Sequence, residues 1–393
     1  IILNRYRGNW SRMGTRKTLV QAIANPGLCM LFAGVVVFPS LLCAAGDEDR
    51  DEPDVLEEVE QAEGVIPAKF YSTPAERREA GMGRQLTEWL TVSGLIEVET
   101  EHAWDSYRGG ESDDEQTDES LQLGFGITFT ETLGAELVFE YEAETGLAKL
   151  DEGLVSYESE EWGAEAGRFY VPFGEYFSSF VIGPMLEFGE TRVNAVSVDY
   201  SWEDRAEVFA YVFESDVDKA GERSDKPDWG LGLELSSADD AVKFGLNYIS
   251  DIAESDEGLL DDFNDRYRSR VGGWNAYAIY GMEQSIITAE MVRAADKFDE
   301  LDPDEDQPFA WNLELAWFPQ PSYQFAVRLE YSDELADQPE WQYGTSVSWR
   351  INKYIGVVAD YLYGDYKDGF VEDDHDNVLR HRNLIAGQLV IEF

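Results

Sequence analysis

From Thr91 to Phe393 the chain is written in segments of about ten residues in which apolar and small or polar side chains alternate strictly. Leu121, Leu123, Phe125, Ile127 and Phe129 alternate with Gln122, Gly124, Gly126 and Thr128. Tyr323, Phe325, Val327, Leu329 and Tyr331 alternate with Gln324, Ala326, Arg328 and Glu330, and the stretch Trp341 to Trp349 repeats the pattern. A period of two places one residue set on each face of a strand, so the chain must build a sheet with one apolar and one polar face.

The connections decide which kind of sheet. About sixteen such segments (fourteen to eighteen) are expected, the first over 92–104 and the last over 381–393. Between them, longer connections alternate with shorter ones. Asp105–Glu119, Ser215–Pro227, Asp251–Val271, Arg293–Gln307 and Gly364–Arg380 are long; Glu131–Thr132, Glu203–Arg205, Gly281–Glu283 and Asn352–Lys353 are short. Short turns at one end and long loops at the other, with an outward apolar face, are the pattern of a transmembrane antiparallel β-barrel of the bacterial outer membrane. Closure satisfies every backbone group in lipid. Trp202, Trp317, Tyr331, Trp341 and Tyr363, at segment ends, suit the aromatic girdles at the two interfaces. The alternating Ile385, Gly387, Leu389, Ile391 and Phe393 resemble the terminal signal read by the barrel-assembly machinery, with Leu389, Ile391 and Phe393 as its residues.

The N-terminal part has a different character. No Asp or Glu precedes Asp47, Arg16 and Lys17 lead into an uncharged run, and Cys43-Ala44-Ala45 offers small residues for cleavage. This reads as a signal peptide over 1–45 with Met13 as its start. Both cysteines, Cys29 and Cys43, lie within it, so disulfide and thiol chemistry are not expected of the mature chain. Residues 46–90 read as an acidic periplasmic linker or short helix, and 91–393 as the barrel.

Charge narrows the function. The chain carries 80 acidic against 30 basic residues, a formal charge of −50, which excludes nucleic acid as a partner. With three histidines and no catalytic motif around His102, no enzymatic centre, cofactor or metal is expected. The acidic stretches at Asp302–Asp306 and Glu372–Asp376 lack the spacing of a calcium loop and read as weak surface ion binding rather than a specific site. Inward positions carry Glu97, Glu99, Glu101, Glu136, Glu140 and Glu142 against few bases: Arg168, Arg192, Lys243, Arg328 and Arg350. A net-negative lumen favours cations.

One long connection, between the fifth and sixth segments, is unlike the rest. It holds Phe173, Tyr176, Phe177, Phe180, Met185 and Leu186 where the others hold aspartates. Such a loop is expected to fold into the lumen as a constriction, with Pro172 and Gly174 turning it, rather than stand in water. Arg168 and Arg192 at its roots are expected to pair with Glu175, Glu187 or Glu190. The stretch Tyr170-Val171-Pro172-Phe173-Gly174, followed by Gly183-Pro184-Met185-Leu186-Glu187-Phe188-Gly189-Glu190-Thr191, resembles the corresponding elements of the LbtU-type siderophore porin family. It departs from them in Gly183, where an Asp is expected. A Pro-Phe-Gly element also occurs in phosphate-selective porins, whose lumen would need Lys and Arg. The resemblance implies an outer-membrane porin that passes small solutes, ferric siderophores among them, without TonB. For a barrel of this size a homotrimer in outer-membrane lipid is also expected.

Overall fold

A computed structural model describes residues 83–143, 146–203, 205–214, 227–239, 241–255, 259, 270–367, 369–371 and 377–393. The expected signal peptide, nearly all of the expected linker and the acidic Glu372–Asp376 stretch lie outside these residues.

The regular structure of the described chain is nearly all strand: β1 (Arg84–Thr87), β2 (Leu90–Tyr107), β3 (Gly110–Thr128), β4 (Leu133–Glu142), β5 (Leu147–Glu158), β6 (Trp162–Tyr170), β7 (Arg192–Trp202), β8 (Ala206–Phe213), β9 (Asp228–Ser236), β10 (Val242–Ile249), β11 (Gly273–Met282), β12 (Ser285–Ala294), β13 (Phe309–Gln320), β14 (Tyr323–Asp333), β15 (Trp341–Arg350), β16 (Ile355–Asp365) and β17 (Leu379–Glu392). Each pairs antiparallel with its neighbours, and β17 pairs with β2 from Leu379↔Tyr107 to Glu392↔Leu95. Strands β2 to β17 thus close a ring of sixteen, and β1 adds a short pairing to β2 at Arg84↔Val92, beyond the end of β17. Among the described residues no helix is long and apolar enough to cross a membrane; a closed barrel crosses with its strands.

The alternation sorts side chains as the sequence requires. On β14, Phe325 and Val327 are exposed outward while Gln324, Ala326, Arg328 and Glu330 are buried inward. Trp89, Trp162, Trp202, Trp317 and Trp349 stand exposed at the short-turn end, where neighbouring rings meet, as Trp162 does Tyr200 at 4.8 Å between centroids. The short turns are closed by side chains: Asn352 Oδ1 accepts the amides of Tyr354 and Ile355 at 2.8 and 3.1 Å.

Two expectations need correction. The acidic stretch after the first segment is not a loop: β2 and β3 stay paired through Asp105↔Ser112 to Tyr107↔Gly110, so that Arg108 and Gly109 alone make the turn. Hydrophobic alternation stops where the strands leave lipid, but the ladder of backbone hydrogen bonds does not depend on it. The sheet also begins before Thr91, at Arg84.

At the seam where the ring closes, Phe393 lies against a glycine. Gly94 N–H donates to Phe393 O at 2.7 Å and Phe393 N–H donates back to Gly94 O at 3.0 Å. A Cβ at Gly94 would stand 2.2 Å from Phe393 Cζ, so the terminal ring lies directly on the missing side chain. Gly94→Val is expected to cut the yield of heat-modifiable, folded barrel several-fold on refolding. Gly387→Ala, whose Cβ would lie an ordinary 3.6 Å from Thr100 Cγ2, should refold as the parent does.

Candidate functional site: a loop pinned across the lumen

The segment from Val171 to Thr191 leaves β6 and returns to β7, yet its hydrogen bonds to wall side chains reach round the ring along the inward faces of β10 to β16. Its apolar side chains explain why. Phe173 and Leu186 have no exposed surface, and Tyr176, Phe177 and Phe188 are buried. Phe173, Tyr176, Met185 and Leu186 pack with Phe209, Ile249, Val292 and Ala310 of the wall, while Phe180 packs with Ala316, Ala326 and Leu362 farther round. Burying such rings is worth roughly 1.5–3 kcal/mol each relative to exposure, which draws the loop inward.

An irregular backbone inside a barrel must find hydrogen-bond partners. The wall supplies them as carboxylates. Glu290 of β12 accepts the amides of Glu175 and Tyr176 at 2.8 and 2.9 Å. Glu314 of β13 accepts the Ser179 amide at 2.8 Å and the Ser178 hydroxyl at 3.1 Å. Glu330 of β14 accepts the Met185 amide at 2.8 Å, and Asp360 of β16 accepts the Val181 amide. These four carboxylates are buried, and charge-assisted acceptance makes each such bond stronger than its neutral counterpart.

Arg328 is the cation among them. Its Nη1 donates to Ser178 Oγ and to Ile182 O, both at 2.9 Å, and Nη2 donates to Gly183 O at 3.2 Å. Nε lies 2.9 Å from Glu330, and the guanidinium sits 4.4 Å from the Phe180 ring centre. Neutral groups add to the seam: Ser346 Oγ donates to Ser179 O at 3.0 Å, and Asn247 Nδ2 donates to Phe173 O at 3.3 Å.

The residues singled out in the sequence take specific places. After Pro172, the chain passes so close to the wall at Gly174 that a Cβ there would stand 2.5 Å from Asn275 Nδ2 and 2.7 Å from Glu290 Oε1. Tyr176 follows with φ +46°, a conformation that costs a non-glycine residue free energy and is held here by the bond to Glu290. Glu175 is buried 3.5 Å from Lys243, whose other partner is Glu234 at 3.0 Å. Burial pushes the Glu175 carboxyl above its ordinary value, and Lys243 acts against that rise. The Glu187 carboxylate lies over Gly183, with Oε1 1.9 Å from where a Cβ would be. Residue 183 therefore has no room for the Asp of the resembling motif unless Glu187 moves. Glu190 is buried at the end of a 3₁₀ turn over Met185–Gly189, its amide donating to Glu187 O at 2.8 Å.

The two arginines at the roots of the loop take different places. Arg168 pairs in register with the exposed Asn194 and shares the parity of Trp162 and Ala166, which puts it on the outer face of β6. Arg192 forms an ion pair with Asp151 of β5 and lies 5.2 Å over the Tyr170 ring. The carboxylates that hold the loop backbone stand instead on the opposite wall. Sequence reasoning passed over Glu290, Glu314 and Asp360, although each is an acid at an inward position between outward apolar neighbours, as Glu314 is between Leu313 and Leu315.

Away from the loop, the lumen wall is acidic. Glu97, Glu99 and Glu101 follow one another on the inward face of β2, and Gln388 Nε2 donates to Glu97 at 2.9 Å and also to Glu99. Inward cations here are engaged by acids: Lys149 with Glu140 at 3.3 Å and with Glu142, and Arg350 with Glu392 at 3.1 Å. Of the residues expected to form an assembly signal, Leu389 and Ile391 lie on the outer face of β17, and Phe393 lies at the seam with Gly94.

Solved structures share this architecture. The outer membrane channel DcaP of Acinetobacter baumannii superposes with a TM-score of 0.54 over 79% of this chain and 100% of that one, at 11% identity. An anion-selective porin from Comamonas acidovorans gives 0.57 over 77% and 99%, and Salmonella typhi OmpF in complex with daunomycin gives 0.55 over 77% and 98%, both also at 11% identity. Likeness at that identity is likeness of fold. Among curated proteins, a UPF0422 protein of Coxiella burnetii is 27% identical over 141 residues, which span 34% of this chain and 30% of that protein. No family model matches the chain.

Proposed function

We propose that the protein is an outer-membrane channel for the passive passage of small solutes, narrowed by the Val171–Thr191 loop and preferring cations. The observation that carries this reading is the loop itself, fastened by buried wall carboxylates across a sixteen-stranded ring whose remaining wall is acidic. A sixteen-stranded barrel has the diameter to leave an aqueous lumen. The fold it shares with known porins supports the same conclusion.

Cation preference follows from the acids on the inward face of the wall. Glu97, Glu99 and Glu101 form a file along β2, and a low-dielectric wall concentrates their field. Replacing all three by Gln is expected to move the reversal potential measured across a tenfold KCl gradient from the cation side toward zero. An unchanged reversal potential would place the selectivity elsewhere and contradict this assignment.

Within that reading, the Pro172-Phe173-Gly174 and Gly183–Thr191 elements support ferric-siderophore complexes as solutes, admitted without TonB. Cells that lack TonB should then accumulate a radiolabelled ferric siderophore only when they express this chain. Equal accumulation with and without it would remove the siderophore and leave the channel.

A further inference from the structure

Asp228 opens β9, while Asp251 and Glu254 flank the 3₁₀ turn Ile252–Glu254 after β10. Far apart in sequence, they meet because Ile249 pairs with Gly230, which sets the start of β9 beside the end of β10. One carboxylate oxygen from each lies within 4.8 Å of the other two, and all three residues are buried. Arg270 Nε is 2.6 Å from Asp228 Oδ1, and the same oxygen accepts Ser250 Oγ at 3.0 Å.

Two oxygens at the cluster are buried without hydrogen bonds. Asp228 Oδ2 is shielded from solvent and accepts no hydrogen bond, although the residue is only 1% exposed. Ser255 Oγ, on the residue directly after Glu254, is likewise shielded and has no hydrogen-bond partner, and Ser255 is 7% exposed. Buried oxygens without hydrogen bonds are costly, and a bound cation beside the Asp228 carboxylate answers that cost.

We propose that Asp228, Asp251 and Glu254 form a calcium site at the long-loop rim of the barrel. The donors are all oxygen, with no His or Cys, which selects a hard cation over zinc or iron. Oxygens on one calcium ion lie up to about 4.8 Å apart, twice a Ca–O distance of about 2.4 Å, and magnesium demands a tighter and more regular shell. The site also touches the constriction. Ile252 packs in the same apolar cluster as Phe173, and both approach Gly273, at 2.7 and 3.0 Å from where its Cβ would be. A cation that fixes the turn therefore fixes the floor on which the loop rests.

The test is calorimetric titration of CaCl₂ into the full chain, folded in detergent and stripped with a chelator. One saturable calcium per chain is expected, at least tenfold weaker in Glu254→Gln and in Asp251→Asn. A double Asp302→Asn, Asp304→Asn variant in the exposed acidic stretch should bind like the parent. Heat-modifiable mobility on gels reports whether each variant is folded, and Glu254→Gln, on a short turn, decides the matter if Asp251→Asn fails to fold. Absence of a saturable site, or equal affinity in folded Glu254→Gln, would overturn the proposal and leave only diffuse binding to surface acids.

Discussion

Excision of Phe173–Leu186 is expected to raise the single-channel conductance several-fold and to quieten any loop-dependent fluctuation. The removed segment carries Phe173, Tyr176, Phe177, Phe180, Met185 and Leu186, and its contacts run along the inner wall from β10 to β16. Ions must pass beside this bulk, so removing it widens the narrowest section. The excision also strips the backbone donors from Glu290, Glu314, Glu330 and Asp360. Those carboxylates then face water and add to the negative field, so cation preference should rise with conductance. Gly174→Val provides a full-length counterpart: its side chain would collide with Asn275 and Glu290 and lift the start of the loop. A deletion variant that folds, yet conducts as the parent does, would place the loop outside the conduction path.

Replacement of Arg328 by Ala is expected to destabilise the barrel by about 3–5 kcal/mol, because it strands buried carboxylates without their counter-ion. Glu314 and Glu330 are each 1% exposed, Arg328 is 3% exposed, and its guanidinium also holds Ser178, Ile182 and Gly183 of the loop. The loss should appear as a lower urea midpoint for unfolding followed by tryptophan fluorescence, and as noisier single-channel currents once the loop loses its anchor. Arg328→Lys keeps the charge but not the planar fork that reaches three loop oxygens, so it should fall between the two. A midpoint and a current trace unchanged in Arg328→Ala would show that the carboxylates alone hold the loop.

Much of the architecture is legible in the sequence because lipid imposes a strict rule. Each strand must turn apolar residues outward, as Phe325, Val327 and Leu329 do, so periodicity alone locates it. Where the constraint ends, legibility ends too. Asp105–Glu119 looks like a loop because its side chains are polar on both faces, yet its backbone remains paired to the Arg108–Gly109 turn. The outward place of Arg168 is legible, since it has the parity of the outward Trp162. The carboxylates that fasten the loop could be placed on the inward face from sequence, whereas their pairing with amides more than a hundred residues away could not. The same holds for Asp228 and Glu254, which meet only through the register of β9 on β10.

The most direct test of the channel itself is the unmodified protein in a planar bilayer, with the reversal potential recorded under a salt gradient. Stepwise openings whose reversal potential has the sign for cations are the predicted result. A barrel inserted in the bilayer that never opens, or one that reverses with the sign for anions, would contradict it.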